Sequence, residues 1–145
     1  MTSALYNRDI LRLAASIPHQ QRLAAPQASV EKSSPICGSR VTVDLVVDAQ
    51  GRVAALGQEV RACALGQASA ALMGAHAIGR SVEELAGARD ALAAFLAGGR
   101  DDPGDWPGLE ILAAARPFTA RHPSILLAFE AATEAASLAR RAHAA

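Results

Sequence analysis

The stretch Arg40-Val41-Thr42-Val43-Asp44-Leu45-Val46-Val47-Asp48-Ala49-Gln50-Gly51-Arg52-Val53 decides the fold. Val41, Val43, Leu45 and Val47 alternate with Thr42, Asp44 and Val46, which predicts a strand over Arg40 to Asp48 with one buried face. Asp48-Ala49-Gln50-Gly51 supplies turn chemistry. Arg52 to Arg61 then continues as the return strand, with Val53, Ala55 and Val60 apolar and Gly57 marking a bulge or a close approach. The pair is a β-hairpin, and a hairpin brings its two ends together.

The only two cysteines flank that hairpin. Cys37 sits in Ser34-Pro35-Ile36-Cys37-Gly38-Ser39, just before it, and Cys63 sits just after it, where the strand pattern gives way to a helical one. Both thiols are therefore expected at one edge of a small sheet. A thiolate is favoured near a helix N-terminus, where free backbone amides stabilise negative charge. Two such thiols suggest a soft-metal or sulfur-handling site, although zinc or a cluster normally takes about four donors. Taken singly, each cysteine reads instead as a small apolar filler.

Outward from the hairpin, Tyr6 to Ala15 is a helix stopped by Pro18, His19 to Gln27 a polar loop, and Ala28 to Lys32 a short edge strand. Leu65 to Ile78 is a small-residue helix with Gly79 as its cap. Ser81 and Glu84 form a capping box that opens a helix toward Ala86, followed by a second helical piece from Ala88 to Ala97. Gly98 to Gly104 is a loop, with Trp106 expected to pack it against the last helices. Leu109 to Arg116 is helical, and His122-Pro123-Ser124 opens a last helix from Ile125 to about Ala142. Strands early and helices after give an α+β fold: one domain over residues 1–145, with a three-stranded antiparallel sheet against a layer of helices.

Composition narrows the function. Lys plus Arg and Asp plus Glu both number 14, so total charge suggests neither a nucleic-acid nor an anionic-membrane partner and is compatible with self-association. No apolar stretch is long enough to span a bilayer, and Met1 to Ile17 lacks a secretory pattern. The expectation is a cytoplasmic protein with reduced thiols. Asp101, Asp102 and Asp105 form an acidic loop whose spacing matches no calcium loop. His19 and His76 have no partners nearby in sequence.

Several blocks together resemble a known family. They are Leu5-Tyr6-Asn7-Arg8-Asp9-Ile10, Pro35-Ile36-Cys37-Gly38, Arg61-Ala62-Cys63-Ala64, Ile78-Gly79-Arg80-Ser81-Val82-Glu83-Glu84-Leu85, and Leu109 through Phe129. In order and spacing the chain resembles the IscU/SufU/NifU N-terminal scaffolds of iron–sulfur cluster assembly, with SufU-like spacing after Cys63. The resemblance implies a scaffold rather than an enzyme. Its cargo would be iron or a transient [2Fe–2S] cluster, or zinc in the SufU branch. Its partners would be a cysteine desulfurase and apo iron–sulfur acceptor proteins.

The family's ligands are three cysteines and an aspartate. Carried over by position, two cysteines fall on Cys37 and Cys63, the third on Ser124 and the aspartate on Ser39. Serine is a neutral hydroxyl and a poor ligand for soft metals. His122 is a further candidate donor beside the site, against the plainer reading of a solvated loop histidine. Ser124 likewise reads as a helix N-cap before it reads as a ligand. Three functions follow from the sequence: a scaffold or sulfur acceptor using Cys37 and Cys63, a binding module derived from the scaffold, and a thiol-redox or zinc-dependent sulfur-transfer protein.

Overall fold

The structure, a computed structural model, describes residues 7–35 and 38–144. Ile36 and Cys37 lie outside the described residues, as do Tyr6 and the residues before it. The elements are α1 (Arg8–Ala14), β1 (Ala28–Ser33), β2 (Arg40–Val47), β3 (Val53–Arg61), α2 (Ala64–His76), α3 (Val82–Leu96) and α4 (His122–Ala144). Two 3-10 helices, Leu109–Ala115 and Thr119–Arg121, lie between α3 and α4.

The three strands form one antiparallel sheet in the order β1-β2-β3. Asp48 closes the β2–β3 turn: its carboxylate accepts from the Gln50 and Arg52 amides at 2.9 and 3.0 Å. The register shift in this hairpin lies between Val46 and Val47, beside the turn, and not at Gly57. Gly57 is instead the close-approach point, where a Cβ would collide with the Gln21 carbonyl oxygen and sit 3.0 Å from the Leu23 amide nitrogen. At the far end of the hairpin Arg40 stands directly opposite Arg61, so Ser39 and Cys63 leave the sheet from the same end.

Helices cover one face of the sheet, with α4 packed on β1 and β2 and flanked by α2 and α3. Val41, Val43, Leu45, Phe129 and the alanines of α4 are buried in this layer. The expectation of a single buried face on β2 is corrected by the structure, for Thr42 and Asp44 are buried too. The segment after α1 wraps the edge of β3 and lies over the second face. The His19 carbonyl accepts from the Gln58 amide at 2.8 Å, and Arg22 and Leu23 both bind Asp44. Arg22 donates to the Asp44 carboxylate through Nε at 2.6 Å and through Nη2 at 3.1 Å. The Ser29 hydroxyl and the Leu23 amide donate to it at 2.6 and 2.9 Å. Burial alone would push this carboxyl up, but the hydrogen bonds from Arg22, Ser29 and Leu23 outweigh it and hold the group below its ordinary value.

Three further expectations are met in part. The two helical pieces predicted across Gly87 are one helix, α3, because Val82, Leu85, Ala88, Leu92 and Phe95 keep a continuous apolar stripe against α4. Gly87 itself is exposed, and the loss of about 0.5–1 kcal/mol from an interior glycine does not break that stripe. Leu109–Ala115 is a 3-10 helix, whose three-residue period puts Leu109, Leu112 and Ala115 on one buried face. The helix predicted from Leu65 to Ile78 runs from Ala64 to His76, short of Gly79. The capping box at Ser81 and Glu84 is present. Trp106 is buried as expected, donating to the Leu72 carbonyl at 2.8 Å and meeting Phe129 edge-on at 5.3 Å.

Candidate functional site

Cys63 is the N-cap residue of α2, in extended backbone conformation, and its side chain does not cap the helix. The half-buried sulfur contacts Ser124 Oγ at 3.4 Å instead. Ser124 Oγ in turn donates to Ser39 Oγ at 2.7 Å. The result is a chain of three side chains, Cys63–Ser124–Ser39, drawn from the start of α2, the start of α4 and the residue before β2.

Local structure explains why they meet. The β1–β2 connection is closed by Ser34 N–H donating to the Ser39 carbonyl at 2.8 Å, which fixes Ser39 under the helices. Ser69 donates its hydroxyl to the Ile125 carbonyl at 2.6 Å and ties α2 to the first turn of α4. Gly66 removes the last obstacle. A Cβ there would lie 2.8 Å from Ser124 Oγ and 2.8 Å from Ala62 Cβ, so only glycine lets the two helix starts come this close.

Ser124 is not the helix N-cap that its sequence position suggests. α4 begins at His122, so Ser124 falls inside the first turn, where it is fully buried and turned toward Cys63 and Ser39. His122 is not a solvated loop residue either: it is half-buried, and its Nε2 donates to the Ala115 and Arg116 carbonyls at 2.9 and 3.1 Å. Those bonds orient it toward the preceding 3-10 helix, and it makes no hydrogen bond to the three-residue chain. Cys37 lies outside the described residues, between Pro35 and Gly38.

Chemically the described cluster offers one soft donor and two hydroxyls. With the Ser124 proton directed at Ser39, Cys63 S–H is the donor to Ser124. Hydroxyls rotate, so the opposite polarity is also accessible and would direct a proton at a thiolate. Among the described residues no three His, Cys, Asp or Glu side chains come together as a metal site. Serine oxygens do not complete a tetrahedral soft-metal site, for zinc or for iron. The acidic loop is likewise no cation site: Asp102 is taken by Arg100 at 2.9 Å and by the Gly104 amide at 3.0 Å. No helix among the described residues is long and apolar enough to cross a membrane.

Sequence reasoning reached Ser39 and Ser124 only through the family resemblance. It gave no role to Gly66 and Ser69, whose signal was their place in the first turns of a helix made almost wholly of small residues.

Known structures of the same fold place the chain. It is 36% identical, with a TM-score of 0.89, to the crystal structure of a nitrogen-fixing NifU-like protein (N-terminal) from Brucella abortus, covering 96% of each chain. It is also similar, at 19% identity and a TM-score of 0.82, to a structure named as a scaffold protein of iron–sulfur cluster assembly for the SUF system, from thermophilic Fervidobacterium islandicum AW-1. That likeness covers 94% of this chain and 99% of the other, and at such identity it speaks for the fold alone. No protein-family model matches the chain. No curated protein sequence matches it either.

Proposed function

The chain belongs to the NifU-like N-terminal family, and from that membership we propose that it serves iron–sulfur cluster assembly as a scaffold or sulfur acceptor, with Cys63 and Cys37 as the receiving thiols. A cysteine desulfurase supplies the sulfur, and apo iron–sulfur proteins take the product. Iron, or a transient [2Fe–2S] unit, is cargo and not a resident cofactor, held by the two cysteines with external thiols completing its coordination. A reducing compartment such as the cytoplasm keeps both thiols free.

In the sulfur-receiving step the Cys63 thiolate attacks the outer sulfur of the donor's persulfide. The donor's S–S bond breaks, a new S–S bond forms on Cys63 with the persulfide hydrogen staying on the transferred sulfur, and the donor cysteine leaves as a thiolate. The observation that carries this reading is the convergence of Cys63, Ser124 and Ser39, the positions on which the resemblance sets three of the four ligands. The step needs one nucleophilic sulfur at the site and no complete metal site.

One observation favours a second reading, in which the protein keeps the fold and binds the assembly machinery without building clusters. Ser39 and Ser124 are almost fully buried and bonded to each other, so two of the ligand positions are closed.

Anaerobic incubation with ferrous iron, cysteine and a desulfurase separates the two. Visible absorption, metal analysis and intact mass are followed for the wild type, Cys37→Ser and Cys63→Ser. Cluster bands, or a mass gain of one sulfur, that disappear with Cys63→Ser support the scaffold or acceptor. No bands, no metal and no added sulfur overturn it, and a desulfurase that still co-purifies with the double serine variant then establishes the binding module.

A further inference from the structure

The sheet ends in an open edge beside a groove that the thiol site does not use. Among the described residues β1 pairs only with β2, and Ser34 N–H donating to Ser39 sets the alternation along it. Even-numbered residues of β1 direct their backbone groups to β2, which leaves the N–H and C=O groups of Ser29, Glu31 and Ser33 on the open side. Beneath that side lies a groove of about 930 Å³. One wall is α3, the other is Lys32 of β1, and α4 forms the floor from Glu130 to Arg141.

The floor carries two charges that no hydrogen bond or close ion pair holds. Among the described residues, the side chains of Glu130 and Arg141 make no hydrogen bond or ion pair, although Glu130 is half-buried. Burial pushes the Glu130 carboxyl up, with Lys32 and Arg89 acting against it. Leu138 lies between the two charges and is 41% exposed. The strand and the helix run in opposite senses, since Gln27 touches His143 at 3.5 Å while Lys32 reaches Glu134 at 3.3 Å. A fourth strand on β1 would therefore lie along the groove and set every second side chain down onto α4.

A second copy of β1 does not suit this place. Paired symmetrically about Glu31, it sets two glutamates opposite each other. Paired about Val30, it brings the copy's Lys32 beside Ala28, at the end of the groove that holds Arg141 and His143. The distance from Glu130 to Arg141 along the helix is about 16 Å; the first and fifth of five extended residues stand about 13 Å apart, and their long side chains reach the rest.

We propose that the open edge of β1 and the groove beneath it bind an extended segment of a partner protein as a fourth, antiparallel strand, whose inward side chains run basic, apolar, acidic from the Glu130 end to the Arg141 end. Backbone pairing supplies the binding and the alternate side chains the selectivity. This surface is independent of the reading of Cys63.

The test uses the full chain, isotope-labelled, and two synthetic probes: acetyl-Thr-Arg-Thr-Val-Thr-Glu-Thr-amide and the same peptide with Arg and Glu exchanged. The amide signals of Ser29, Glu31 and Ser33 shift, and their hydrogen exchange slows, with a preference of about tenfold for the Arg-first peptide. In the chain carrying Glu130→Arg and Arg141→Glu the preference inverts, while circular dichroism shows the fold retained. The proposal is overturned by silent amides at the solubility limit of both peptides, or by equal affinity of the wild type for the two. The same amides shifting with protein concentration alone, with a doubled mass in solution, also overturn it and assign the edge to a second copy.

Discussion

Ser124 donates its hydroxyl to Ser39 across 2.7 Å, although 85 positions separate them in the chain. The bond joins the first turn of the last helix to the residue that enters the central strand, and it lies directly beneath the Cys63 sulfur. It makes the thiol's surroundings a structural matter as well as a chemical one.

Removing it is expected to show in stability. Ser124→Ala removes the hydroxyl that bridges Cys63 and Ser39 and lowers stability by about 0.5–1.5 kcal/mol. Gly66→Ala has a comparable effect, about 1–3 kcal/mol, by forcing apart the starts of α2 and α4. Urea unfolding of both variants, with thiol labelling of Cys63 alongside, checks this. Unchanged midpoints would show that the cluster is not under packing constraint.

Asp44 gives a pH dependence of definite sign. Its carboxyl lies below the ordinary value of 3.8 in the folded chain. The stability it confers is in place above about pH 4 and is lost as pH falls from there through the lower folded value. Asp44→Asn therefore lowers the unfolding midpoint at pH 7, by about 1–3 kcal/mol. The gap from wild type narrows below about pH 4. Urea titrations of both proteins across this range give the comparison, and a gap that stays constant would contradict the assignment.

At the start of α3, Ser81→Ala removes the capping box and costs about 1 kcal/mol. Glu84 accepts first from the Ser81 amide and then from Arg52 and Arg80, and its carboxyl is lowered to about 2. A carboxyl-detected NMR titration should place it there, and Arg52→Ala should move it upward. An ordinary value in the wild type would mean that the box is not formed in solution.

Trp106 is the only tryptophan, so its fluorescence reports this region alone. Trp106→Phe keeps a ring against Phe129 but loses the bond to the Leu72 carbonyl, for about 1 kcal/mol. Trp106→Ala loses the packing as well, for about 3–5 kcal/mol. Thermal unfolding followed by circular dichroism separates the two.

What was legible in the chain was local. Val41, Val43, Leu45 and Val47 announced a strand, Asp48 to Gly51 its turn, and Ser81 with Glu84 a capped helix, because each rests on neighbours within one or two turns of chain. The same alternation gives β2 a single buried face, since nothing in a period-two pattern reveals that Arg22 and Leu23 will fold back onto Asp44. Gly87 looked like a break because the loss at one glycine is visible locally, whereas the stripe that overrides it is judged only against α4. Ser124 had the composition of a cap, and its true setting depends on where α4 begins, a boundary shifted to His122 by the 3-10 turn before it. Cys63 was placed correctly by the strand-to-helix switch, while its bond to Ser124 required two helix starts to pass closely at Gly66.

The position of α4 also bears on how the chain is made. It is the helix against which β1, β2, α2 and α3 all pack, and it comes after every one of them in the sequence. During synthesis the valine face of the hairpin therefore emerges long before the helix that will cover it. A nascent chain halted ahead of Thr119 should stay open to protease and occupied by chaperones, and protection should arrive in one step once the final helix has cleared the ribosome.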